Sequence, residues 1–411
     1  MSGALSRRSS ISELAFEQLW LAIADIGRDA VTGGYRRFAW TEADLRMREW
    51  FAGECESRGL ELTEDRIGNQ WAWWGDPDGS GARGIVTGSH LDSVPDGGGF
   101  DGPLGVVSAL LAIDRLRADG LTPRHPIGVV SFVDEEGARF GVSCVGSRMI
   151  TGVLSPDQAL ALRDADGVTM ADAMRAAGRR PEQLGPDPEA LSRVGSFVEL
   201  HIEQGRGLID LGRPVAVGNG LWAHGRWRME IPGEANHAGT TRLNDRRDAV
   251  IGCAQLVLAT RAAAEAHDSL ATVGKINIMP GGVNAIAGLA TAWLDARAAD
   301  EVALSATVDQ IAGQLASLGG VMVEESRTPH TDFDDALVTR LASLLDAPVM
   351  STGAGHDAGI LANAGVPAAM IFVRNPTGIS HSPAEWAEPE DCLAGVTALA
   401  SVLADLAGAK P

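Results

Sequence analysis

The sequence predicts a mixed α/β fold with a mostly parallel catalytic sheet flanked by helices and an inserted ferredoxin-like α+β lid. Three observations carry this. Short, almost wholly apolar runs at 85–90, 127–133 and 196–202 are bounded by turn residues, the pattern of strands buried on both faces. Between the first two lies Val106–Leu116, with Val106, Leu110 and Ile113 at helical spacing and Gly120 to stop it. Strand, helix, strand in that order gives a crossover and hence parallel pairing. After about residue 217 the pattern changes to β-α-β-β-α-β, the ferredoxin-like split unit, before the first pattern resumes.

Taken in order, residues 1–10 are small, polar and basic and are expected to be disordered. Residues 12–28 read as a helix with Leu19, Ile23 and Ile26 on one face. Thr41 and Asp44 make a capping-box signature for a helix ending near Gly59. Residues 71–84 read as a strand and turn. In the second pattern, 226–231 is a strand, 245–266 a long helix, and 271–279 and 289–297 two strands around the turn PGGVNAIAG. A helix at 300–317 and a strand at 321–326 complete the unit. The sheet pattern then returns: helix Asp334–Leu345, strand 348–352, helix Asp357–Ala364, strand 367–373, a loop holding His381, and a helix from Pro389. This divides the chain into a discontinuous catalytic domain, 1–216 and 330–411, and a lid, 217–329.

Composition narrows the partners. The chain has 411 residues and a formal net charge of −20, from 34 Lys and Arg against 54 Asp and Glu. With no basic cluster, nucleic acid is excluded as a partner. No apolar run approaches the roughly 20 residues of a membrane span, and the N-terminus lacks the apolar stretch of a secretory signal, so a cytoplasmic protein is expected. Cys55, Cys144, Cys253 and Cys392 match no CxxC pattern and read as reduced and buried.

The chemistry sits at the strand ends. GSHLDSVPDGGGFDGPLGV (88–106) puts His90, Asp92 and Asp101 in one glycine-rich loop. DEEG follows the run 127–133 and supplies Glu135 and Glu136; HIEQG supplies His201, and GISHSPAEW supplies His381. Open α/β sheets bind ligands at their carboxyl strand ends. Imidazole and carboxylate donors without cysteine suit Zn²⁺, Mn²⁺, Co²⁺ or Ni²⁺. Two such ions sharing a carboxylate lower the pKa of a water, and a free carboxylate nearby can take its proton. Asp92, two residues from His90, can accept that ring's other N–H. Arg297, ending a strand, suits a fixed carboxylate contact or a surface pair with Asp295 or Asp300.

Together with ANHAGTT, these motifs resemble the dinuclear-metal aminoacylase/carboxypeptidase superfamily, and more closely its ureido-cleaving branch of allantoate amidohydrolase, N-carbamoyl-L-amino acid hydrolase and β-ureidopropionase. The resemblance runs from about residue 18 to 405. It implies that His90 and His201 bind one metal, Glu136 and His381 the second, and that Asp101 bridges. Glu135 is then the general base and Asp92 the partner of His90. Gln204, His237, Asn284, Arg297 and Gly355 would contact substrate, His237 polarising the scissile carbonyl. The implied reaction is metal-dependent hydrolysis of a ureido C–N bond next to a carboxylate, in allantoate or an N-carbamoyl-L-amino acid, with a lean to allantoate. The implied assembly is a homodimer through the lid. An aminoacylase or dipeptidase on the same metals is the alternative enzyme, and a non-catalytic metal-containing binding protein the alternative class. Arg242 departs from the family's HAGTTP pattern, and His224 reads as a loop residue where the lid begins.

Overall fold

The computed structural model describes residues 13–79 and 81–410, so the stretch 1–10 expected to be disordered lies outside it. An antiparallel pair, β1 (Glu61–Glu64) and β2 (Gln70–Trp74), comes first. Then come β3 (Gly84–His90), β4 (Ile127–Phe132), β5 (Val194–Ile202) and β6 (Val215–Leu221). β7 (Ala223–Pro232), β8 (Asn236–His237), β9 (Leu270–Met279), β10 (Ala285–Ile286), β11 (Leu289–Ala298) and β12 (Val321–Thr328) follow. Last are β13 (Thr331–Asp332), β14 (Val349–Thr352) and β15 (Ala368–Val373). The chain forms two compact units. One holds 1–219, 332–350 and 355–411; the other holds 220–331 and 351–354.

The larger unit is built on a nine-stranded sheet of order β1-β2-β4-β3-β5-β15-β6-β13, with β14 also paired to β6. β4, β3, β5 and β15 are mutually parallel neighbours, while β2 on β4 and β6 on β15 are antiparallel. The centre is therefore parallel, and the flanks, where hairpin-like returns suffice, are not. β3, β4 and β15 are buried along their whole length, and β4 and β15 accordingly read as nearly continuous apolar runs. Helix Pro103–Ala118 returns the chain from β3 to β4; twelve of its sixteen residues are buried. It packs with helices Glu13–Ile23 and Pro389–Leu406, while helices Val145–Ile150 and Asp357–Asn363 pack with each other.

The smaller unit is a four-stranded antiparallel sheet of order β12-β7-β11-β9, carrying helices Ala249–Ala266 and Glu301–Ser317. Alternate residues of β11 are buried, so one face of the sheet meets the helices. Trp227, Met229, Ile231, Leu256, Leu294, Leu304, Ile311 and Leu315 form that core. Each large apolar side chain buried there contributes roughly 1.5–3 kcal/mol. Helix Ala249–Ala266 has the length and apolar composition of a membrane crossing, which the run-length reading did not register. In this fold it lies on the sheet through Gly252, Cys253, Leu256, Thr260 and Ala263.

Several local expectations need correction. The helix at Glu42–Ser57 does begin after Thr41, but no capping box forms: Thr41 Oγ1 donates to Phe38 O at 2.7 Å, and Asp44 accepts from Trp40 N at 2.9 Å. The long lid helix starts at Ala249, where Asp248 caps Val250 N at 3.0 Å. His224 is not in a loop but in β7, opposite Arg297 of β11. The strand expected at 226–231 begins earlier, at Ala223, with alternating burial, and Gly225 hid that start. β6 (VAVGNGL) was hidden in the same way by its glycines.

Candidate metal centre

Because β4, β3, β5 and β15 run parallel, their carboxyl ends share one edge of the sheet. His90 is the last residue of β3, Asp134 to Glu136 follow β4, and His201 is the penultimate residue of β5. His381 stands in the loop after β15 with a left-handed φ of 53°. Asp101 closes the glycine loop, one residue before Gly102 at the N-cap of helix Pro103–Ala118. A Cβ on Gly102 would lie 2.5 Å from the His90 ring, so only glycine lets this loop close over the imidazole.

Two groups of donors result, and Asp101 belongs to both. His90 Nε2 and His201 Nε2 lie 3.4 and 3.2 Å from Asp101 Oδ1. His381 Nε2 lies 3.4 Å from Asp101 Oδ2 and 3.6 Å from Glu136 Oε2. His90, Asp101 and His201 form one potential cation site, and Asp101, Glu136 and His381 another. Glu199, His201 and His356 form a third, overlapping group. The donor set fits divalent ions, and a second observation supports it: Nε2 of His90 and of His201 is buried without a hydrogen-bond partner. A buried ring nitrogen left so is costly unless something coordinates it.

The electrostatics are those of a site built for positive charge. Burial opposes charging of His90, yet Asp101, Asp92 and Glu135 outweigh it and hold its pKa well above 6.5. His201 is raised against the same burial by Asp101 and Glu199. His381, chiefly through Asp101, is raised to about 9. Burial raises Glu136 to about 7, helped by the charge of Asp101. Burial also pushes Glu135 well above its ordinary value, with Asp357, Glu136 and Asp92 adding repulsion that His90 only partly relieves. Cations in the two groups would supply the missing compensation.

Glu135 stands apart from Glu136. Its Oε2 is 3.7 Å from His90 Nε2, and its Oε1 accepts the Cys144 thiol at 3.2 Å. Adjacent residues at a strand end diverge, so one acid joins the second donor group while the other does not. Asp92 has two roles where one was expected. His90 Nδ1 lies 3.2 Å from its carbonyl and 3.4 Å from its carboxylate. That carboxylate also accepts from Glu135 N and Glu136 N, at 3.2 and 3.0 Å, and so ties β3's loop to DEEG. Gln204 Nε2 donates to Asp101 Oδ2 at 2.8 Å. Gly355 precedes His356, the N-cap of helix Asp357–Asn363.

The smaller unit carries His237, Asn284 and Arg297. β8 and β10 pair His237 with Ala285, so His237 and Asn284 are neighbours; Asn284 O accepts Ala238 N at 2.9 Å. His237 is exposed, and its Nδ1 accepts Gly239 N and Thr240 N at 2.9 and 3.2 Å, which leaves Nε2 as the protonated, donating nitrogen. Arg297 bonds Asp295 through Nε and Nη2 at 2.7 and 3.1 Å, and Gly353 O through Nη1 at 2.7 Å. The surface pairing with Asp295 is thus present. Arg242 pairs with Asp245 on the surface.

Sequence reading missed a supporting layer. Glu199, fully buried in β5, accepts Ser89 Oγ at 2.7 Å and Ala358 N at 3.2 Å. Asp357 accepts Ser147 Oγ at 2.5 Å. Glu385 accepts Phe100 N and Asp101 N at 2.9 and 2.8 Å. An acid inside an apolar strand, as in FVELHI, was the available signal for Glu199. Around the same loop, Trp20 stacks on Phe100 at 4.6 Å, and Trp386 meets Phe100 edge-on at 5.7 Å.

Residues 86–405 match peptidase family M20/M25/M40. The chain belongs to this family. Among curated relatives, an N-carbamoyl-L-amino acid amidohydrolase of Geobacillus stearothermophilus is 35% identical over 93% of this chain and 96% of its own length. An allantoate amidohydrolase of Escherichia coli is 33% identical over 96% and 98%. The solved structure of AtUAH in complex with (S)-hydroxyglycine superposes with a TM-score of 0.88 at 27% identity, covering 98% of this chain and all of that one.

Proposed function

We propose that this chain is a dinuclear metal-dependent amidohydrolase that cleaves the ureido group of an N-carbamoyl α-amino acid, releasing ammonia and carbon dioxide. The observation that carries the reading is Asp101, whose two oxygens face two separate donor groups with Glu135 standing free beside them. Relatives named for N-carbamoyl-L-amino acids and for allantoate support the substrate class. Allantoate is itself an N-carbamoyl α-amino acid with a second ureido group as side chain. The lean to allantoate finds no support in the identities, which are slightly higher for the N-carbamoyl-L-amino acid enzyme.

His90, Asp101 and His201 would hold one ion, and Asp101, Glu136 and His381 the other. When bound, Zn²⁺ or Mn²⁺ (Co²⁺ or Ni²⁺ by the same donor chemistry) supplies Lewis acidity and a water acidic enough to react near neutral pH. Glu135 takes the proton of the attacking water and hands it to the departing nitrogen. His237 donates from Nε2 to the ureido oxygen, where negative charge develops. Arg297 and Asn284 hold the substrate carboxylate, which requires Arg297 to exchange part of its bonding to Asp295. Gln204 and Gly355 contact the substrate beside Asp101. The reading requires the lid to close on the metal-bearing unit, with hinges near 216–220 and 328–332.

A homodimer through the lid is part of the same reading. Val250, Ile251, Val257 and Leu258 are exposed on helix Ala249–Ala266, as are Leu270, Ile276 and Met279 on edge strand β9. Exposed apolar side chains on an edge strand and on the helix packed beside it favour a partner there. A cytoplasmic setting fits four buried free cysteines. The test is ammonia release by metal-loaded protein from allantoate, N-carbamoyl-L-amino acids and N-acetyl amino acids. Ammonia from ureido substrates is expected. Acetate from the N-acetyl panel, with no ammonia, would move the assignment to an aminoacylase.

A further inference from the structure

We infer that Glu385 is a positioning residue that selectively builds the second cation site, the one formed by Asp101, Glu136 and His381. This rests on the ligand reading above and adds to it a residue with no place among the donors. Glu385 lies four residues after His381, in a turn closed by Glu385 N to Ser382 O at 3.0 Å. Its side chain reaches back across the site. Oε1 accepts two consecutive backbone N–H groups, Phe100 N at 2.9 Å and Asp101 N at 2.8 Å. The residue is 4% exposed, and Oε2 is buried without a hydrogen-bond partner. Burying a carboxylate with one oxygen unbonded is expensive, so the two bonds it does make are under demand.

One side chain therefore locks together the two segments that carry Asp101 and His381, neither of which lies on a strand. The first site differs: although it shares Asp101, its other two donors, His90 and His201, stand on β3 and β5 and are held by the sheet, whereas in the second site Glu385 fixes the segments of two of the three donors. Two further contacts repeat the geometry. Ser380 Oγ, beside His381, lies 3.3 Å from Asp101 Oδ2, and Gln204 Nε2 bonds the same oxygen at 2.8 Å. Both restrain the carboxylate, whereas Glu385 restrains the peptide that carries it. Gly98 is the tolerance point. A Cβ there would lie 2.5 Å from Glu385 Cβ, Cδ and Oε2, so the loop can receive Glu385 only with glycine at that position.

The test is stepwise Mn²⁺ binding to chelator-treated full-length protein, followed calorimetrically, with circular dichroism to verify folding. Wild-type protein is expected to bind two ions. The step lost in Glu136→Gln marks filling of the second site and is called the second step; Glu385→Ala should weaken it tenfold or more, the scale found when an outer partner of a metal ligand is removed. The first step should change less than about threefold by the same scale. Glu385→Gln keeps an oxygen for the two N–H groups and should recover most of the loss. Gly98→Ala, which keeps Glu385 in the sequence but pushes its side chain aside, should weaken the second step as Glu385→Ala does. It decides the matter should Glu385→Ala fail to fold. Unchanged second-step affinity in the folded variants overturns the inference. Equal weakening of both steps, or a Glu385→Gln no better than Glu385→Ala, overturns it as well. Wild-type protein that takes up fewer than two ions overturns the ligand reading itself.

Discussion

The residues assigned to the metals and those assigned to the substrate carboxylate are built in opposite ways. In the larger unit, the side chains of His90, His201, Asp101 and Glu136 and of the neighbouring Glu135 are at most 8% exposed, His381 alone among the assigned ligands being half exposed, and the ligand donor atoms converge in two groups. In the smaller unit, His237 and Asn284 are exposed, and Arg297 is already engaged by Asp295. The first set is positioned by the sheet and by the loops at its strand ends. The second satisfies itself locally and has to be recruited. Charge accounts for the split: a cluster of buried acids and imidazoles facing one another is costly without compensating positive charge, while an arginine already paired with an acid at the surface waits at little cost.

The contrast breaks most readily at the metals. Exhaustive chelation should abolish turnover, and Mn²⁺ or Zn²⁺ should restore it; full activity at a metal content near zero would end the dinuclear reading. Next come the two neighbouring acids. Glu135→Gln should lose on the order of a hundredfold or more in kcat with both ions retained, the scale of general-base removal. Glu136→Gln should lose an ion first. Metal analysis of the two variants checks this, and a metal-depleted Glu135→Gln would exchange the roles.

Arg297→Ala sharpens the other half of the comparison. It should raise KM for carboxylate-bearing substrates by roughly ten- to a hundredfold, as expected for a lost charge-assisted bond. Metal content should not change, and the loss should shrink for an analogue lacking the carboxylate. Equal losses on both would make Arg297 a support for Asp295 and Gly353. A subtler effect is linkage. With His381 raised to about 9 and Glu136 to about 7, the first carries a proton at pH 7 in the metal-free protein and the second about half of one; His90 and His201 are shifted in the same direction. These must leave as ions bind. Affinity should therefore rise with pH from about 6 to 9, with release of more than one proton per chain at pH 7. Calorimetry in buffers of different ionisation enthalpy would measure this, and a pH-independent affinity would contradict it.

Much of the first region was legible in the sequence. Continuous apolar runs reveal central parallel strands, and a histidine or an acid pair directly after such a run lands at the sheet's carboxyl edge. His90, His201 and the DEEG acids needed nothing else. Asp101 and His381 lie in loops whose course only the fold determines, and Asp101's double contact is invisible to spacing. Glu385 was quoted within its motif but passed over, since nothing local says that its side chain turns toward Phe100 and Asp101. In the second region, strand order was readable from alternation. Of β7 only 226–231 was readable, its first residues around His224 and Gly225 reading as loop, and β6 between the two regions was hidden by its glycines. The pairing of His237 with Asn284 depends on two-residue strands too short to leave a periodic trace.

The aromatic cluster around Phe100 has a practical side. Trp20 stacks on a ring whose backbone N–H is held by Glu385, and Trp386 is the residue after Glu385. Two indoles therefore border the two loops that bring Asp101 and His381 together, one on each side of the same phenyl ring. Should ion binding shift either loop, the polarity or contact of an emitting group would change, and a paramagnetic ion such as Co²⁺ would quench emission at short range. Tryptophan emission is therefore an expected readout of loading. Replacing Trp386 with phenylalanine, which keeps a ring against Phe100, would separate its share of that signal from the other nine tryptophans.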